Sequence, residues 1–77
     1  MSPTQKLISE FVGQAMDLDN FSRAGDWRKQ RAMTFQLLDQ FRKIRSRGSE
    51  GRVALIGLLA HPEIGVRIAA ATYCLEQ

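Results

Sequence analysis

Apolar residues recur along this chain with the period of an α-helix, in four separate blocks. Leu7, Ile8, Phe11, Val12, Ala15 and Met16 make one stripe, the spacing of a helix that buries a single side. Ser2-Pro3-Thr4-Gln5 stands before it in the form of a capping box, with Ser2 as N-cap, Pro3 in the first turn and Gln5 reaching back. This pattern predicts a first helix over residues 2–17. Asp17, Asp19, Asn20, Ser22, Gly25 and Asp26 then read as turn and cap residues, with at most a frayed helical turn through Phe21.

Asp26 suits the N-cap of a second helix over residues 26–47, whose core face collects Trp27, Met33, Leu37, Leu38, Phe41 and Ile44. Arg42, Lys43, Arg45 and Arg47 match the negative end of its dipole, and Gly48 stands where the chain leaves the helix. Ser49 can cap a third helix over 49–60, carrying Val53, Ile56, Leu58 and Leu59, which His61-Pro62 ends because a residue before proline avoids the α region. A fourth helix is expected over 63–76. No alternating strand pattern, low-complexity tract or linker interrupts the sequence. Residues 1–77 therefore read as one all-α domain.

The fourth helix differs from the others in being apolar on two sides. Val66, Ala69, Ala70, Tyr73 and Cys74 lie on one face at i, i+3, i+4, i+7 and i+8. Ile64, Ile68, Ala71 and Leu75 form a second stripe roughly opposite. Only Arg67 carries charge between Val66 and Leu75. Such a helix needs a neighbour on each side. The second stripe is covered either by the rest of this chain, closing a compact monomer, or by a protein partner or second copy. Self-association, most simply a homodimer, is the expectation adopted.

The segment from Arg52 to Leu75 also carries a family resemblance. A short Leu-rich helix with Leu55, Leu58 and Leu59 is followed by a turn with Pro62, then Val66-Arg67, Ala69-Ala70 and Leu75. This order resembles a HEAT repeat of the ARM-repeat type, over roughly residues 49–77. His61 stands where that pattern often has aspartate, and Glu63 is the turn's only acid. The whole chain is similar to a family of small bacterial HEAT-like proteins with no established activity, of which it would be a short or truncated member. The resemblance implies a four-helix, right-handed stack of helical hairpins acting as a protein-binding module. It also implies that Arg67 is structural, bonding carbonyls or an acid in the turn. Stacked repeats bury what a lone hairpin leaves open.

Size and charge narrow the picture. A chain of 77 residues buries only about 60% of its unfolded surface, so its stability should be on the order of 3–5 kcal/mol. The net charge of +3 is local: residues 27–52 hold eight cations and two acids, whereas 1–26 hold two cations and four acids. On a helical wheel Arg28, Arg31, Arg42 and Lys43 surround Phe35, away from the core stripe. That face suits an acidic protein partner or, alternatively, a nucleic acid whose bases stack on the ring. The plainer expectation is that Phe35 packs on the first helix and the cations are merely solvated.

Catalysis, cofactors and metals find no support. His61 is the only histidine and has no acid or nucleophile at an interpretable spacing. Cys74 lies on an apolar face, and with His61 gives only two of the four ligands that a zinc site wants. Gly48, Gly51 and Gly57 do not form a phosphate-binding loop, and Asp17, Asp19 and Asp26 lack the spacing of a calcium loop. The apolar run Val53 to Ala60 spans eight residues, against about 20 for a bilayer. With one cysteine and no basic-then-apolar leader, a cytoplasmic protein without a membrane segment is expected.

Overall fold

The computed structural model describes residues 2–75, with side chains through Tyr73. The expectations for Leu75 and Cys74 as face residues therefore lie outside the described side chains, as does residue 76 of the fourth helix. Among the described residues there are four α-helices and no strand: α1 Pro3–Ala24, α2 Trp27–Arg45, α3 Ser49–Gly57 and α4 Ile64–Leu75. A 3-10 turn, Leu58–Ala60, follows α3.

α1 begins as its sequence dictates. Ser2 Oγ accepts from the Gln5 N–H and Gln5 Oε1 accepts from the Ser2 N–H, each at 3.1 Å. Its end is a correction, because the helix runs seven residues beyond Asp17 before Gly25 stops it. Leu18 continues the buried row and packs against the core. Asp19 and Arg23 pair across one turn at 2.9 Å, so residues that favour turns singly here support helix. Gly25, at φ 73°, adopts the left-handed conformation that glycine reaches without steric cost, and the Asp26 N–H closes onto the Phe21 carbonyl at 3.0 Å.

Asp26 then caps α2, accepting from the Lys29 N–H at 3.3 Å. α2 folds back antiparallel along α1. Gln40, almost wholly buried, donates to the Leu7 carbonyl at 2.9 Å, and Arg47 donates to the buried Thr4 hydroxyl at 3.2 Å. Leu37, Phe41 and Ile44 enter the core as expected. Trp27 does not: its indole is 64% exposed. The third helix also departs from expectation in two ways. Gly48, not Ser49, occupies its N-cap without a side-chain bond, and regular α-helix ends at Gly57. α3 crosses the end of α2 so closely that Gly51 lies against the Ile44 carbonyl.

α4 returns antiparallel to α1, with Gly65 against Asp19 near one end and Tyr73 against Phe11 near the other. The Tyr73 ring stacks on Phe41 at 5.0 Å and meets Phe11 edge-on at 6.1 Å. These rings join α1, α2 and α4 into one core with Leu37, Ile44, Leu55 and Val66, all fully buried.

Candidate functional site

α2 and α4 both run antiparallel to α1, meet where Phe41 stacks on Tyr73, and part toward the other end. The gap is a groove of about 340 Å³. Ala15 and Leu18 of α1 line it, with Leu37 of α2 and Ala69 and Tyr73 of α4. Gln30 and Thr34 edge it on the α2 side, and Ile68 edges it on the α4 side.

The two stripes of α4 have different fates. Val66, Ala69, Ala70 and Tyr73 are buried. Ile64 is 50% and Ile68 57% exposed, and Ala71 is half-buried. Among the described residues the chain does not close over the second stripe at Ile64 and Ile68, so the alternative of a compact monomer sealed over that stripe is not seen there. α4 packs mainly on α1 and on the Leu58–Ala60 turn, which leaves the side carrying Ile64 and Ile68 open. Val53 and Ile56 of α3 also stand in the open.

The turn that aims α4 is held by its own residues. Arg67 donates to the His61 carbonyl at 2.7 Å and the Pro62 carbonyl at 3.1 Å. His61 Nδ1 accepts from the Glu63 N–H at 3.0 Å. Arg67 and His61 are thus both engaged in shaping the turn. Among the described residues no three His, Cys, Asp or Glu side chains gather as a metal site would need, and no helix is long and apolar enough to cross a membrane.

On α2 the structure corrects the expected packing of Phe35, which is 61% exposed and does not fill a gap against α1. Arg31 lies over its ring at 6.0 Å, and Arg28 lies over Trp27 at 5.4 Å. Arg28, Arg31, Arg42 and Lys43 are all exposed, but they are not one patch. Arg28 and Arg42 are about 21 Å apart along the helix, and Asp39, which pairs with Lys43 at 3.2 Å, stands between. Trp27 was absent from the expected surface. On the helical wheel it falls between Phe41 and Leu38, which both pack in the core, so the spacing carried no sign of its exposure. The groove had no signal either, since it arises from how two helices diverge.

Fold and surface together define a small four-helix domain of the all-α class, with an apolar groove and an uncovered C-terminal helix face. The chain belongs to the family of the domain of unknown function DUF2019, whose model matches residues 5–76. No curated protein and no solved structure matches it.

Proposed function

We propose that this chain is a non-enzymatic protein-interaction or regulatory module that self-associates through the outward stripe of α4 and the groove beside it. One observation carries the reading. Ile64 and Ile68 stand half-exposed or more on a helix whose other face is core. Single exposed apolar residues need no explanation, but a helical row bordering an apolar groove marks an interaction site. A second copy suits this surface because knob and hole lie side by side: Ile68 edges the groove that Leu18, Leu37 and Ala69 line. A two-fold axis beside α4 would set each copy's isoleucines over the other's groove, one patch serving both roles. The HEAT-like part of the reading is supported by the α3–α4 hairpin, with Pro62 in its turn and Arg67 clasping it.

The test is Ile68→Glu. A charge at a half-exposed position changes the stability of an isolated chain by no more than about 0.5 kcal/mol. In a self-associating chain it removes the pair. The expected result is a Tm that rises with protein concentration in the wild type and is lower and concentration-independent in Ile68→Glu. Equal Tm values for both, flat across concentration, would remove the proposal.

A further inference from the structure

The outer face of α2 carries an arrangement that self-association through α4 leaves unused. Trp27, Arg31 and Phe35 follow one another at i, i+4 and i+8, a single row along the helix, and Arg28 lies two turns before Phe35 on the same side. Both rings are mostly open to water, with a guanidinium over each. Among the described residues Arg28 and Arg31 have no carboxylate partner, whereas Arg23, Lys29 and Lys43 do. Each guanidinium lies beside a ring and keeps its N–H fork for an incoming anion. Exposed tryptophan, phenylalanine and arginine together are the residue types that dominate binding at protein interfaces.

We propose that this row docks an acidic amphipathic helix of another protein. Its apolar side chains would lie on the Trp27 and Phe35 rings, and its carboxylates would pair with Arg28 and Arg31. The choice of a carboxylate-bearing helix over a nucleic-acid strand rests on the ends of the row. Asp26 precedes Trp27, and Asp39 follows one turn after Phe35 with its carboxylate largely exposed. A phosphate backbone continuing toward Arg42 would have to pass Asp39, and nucleic-acid binders present an unbroken basic track. A short helix fits between the two acids. The apolar groove opens on the other side of Gln30 and Thr34, so the row is separate from the α4 surface.

Trp27 is the chain's only tryptophan, which makes its fluorescence a direct reporter. The probe is a short tryptophan-free peptide with leucines at i, i+3 and i+4 spacing flanked by glutamates. The comparison probes are the same peptide with lysine for glutamate, and an oligothymidylate. The expected result is a saturable blue shift of the Trp27 emission with the glutamate peptide alone, weakening as salt is raised. Arg31→Glu and Phe35→Ala, both at exposed positions and checked for unchanged helicity, should weaken binding about tenfold or more, the size of a hot-spot loss. Ile68→Glu should leave it unchanged, so failure of self-association and failure of this docking are told apart. No response to the glutamate peptide, an equal response to the lysine peptide, full affinity in both variants, or tighter binding of the oligothymidylate would each overturn the proposal.

Discussion

A methyl group added at residue 51 would sit 2.0 Å from the Ile44 carbonyl oxygen, with the Ile44 carbonyl carbon at 2.9 Å. Backbone cannot move aside as a side-chain tip can, so α3 must lift from α2. Gly51→Ala is expected to cost about 1–3 kcal/mol or more, a large part of the stability of so short a chain. The same change at residue 57 should have the opposite sign. A Cβ there meets nothing within 4 Å, the backbone is helical at φ −59°, and alanine is favoured over glycine in helix by about 0.5–1 kcal/mol. Urea denaturation of the two variants checks both signs. Equal effects would mean that the α2–α3 crossing is not as close as described.

At the scale of elements, α1 is where the sequence and the structure part most. Asp17, Asp19, Asn20 and Ser22 favour turns one by one, and a spacing argument that stops at Met16 sees no reason to continue. The helix continues because Leu18 finds the core, a contact that exists only once the other helices are in place, and because Asp19 pairs with Arg23 one turn on within α1. Asn20→Pro separates the alternatives. In a helix interior it should cost about 3 kcal/mol or more, most of a stability on the order of 3–5 kcal/mol and so a large fall in Tm, whereas a loop would accept it with little change. Elsewhere the elements were legible for local reasons. The Ser2–Gln5 box, the Asp26 cap, the proline stop and the buried face of α4 need only neighbouring residues to specify them. The open direction of Trp27 was not legible because the stripe placed it on the core side, whereas Phe35 stood outside that stripe and only the plainer expectation packed it on the first helix. Tyr73, Phe41 and Phe11 already fill the space where the three helices meet.

At the scale of the molecule, what counts is the surface that the fold leaves uncovered. Covering roughly 100 Å² on each of Ile64 and Ile68 would contribute about 5 kcal/mol per chain at 25 cal/mol/Å². A two-fold pair doubles that, against an association cost of about 4–15 kcal/mol. The two terms are comparable, so the pair should be reversible, forming as concentration rises and dissociating on dilution. The net charge of +3 is modest and opposes contact between copies only weakly once salt screens it. The most direct measurement is the solution mass of the unaltered chain by sedimentation equilibrium, over a range of concentrations at physiological salt. A mass climbing from that of one chain toward that of two is the expected result, and a single-chain mass at every concentration would contradict it.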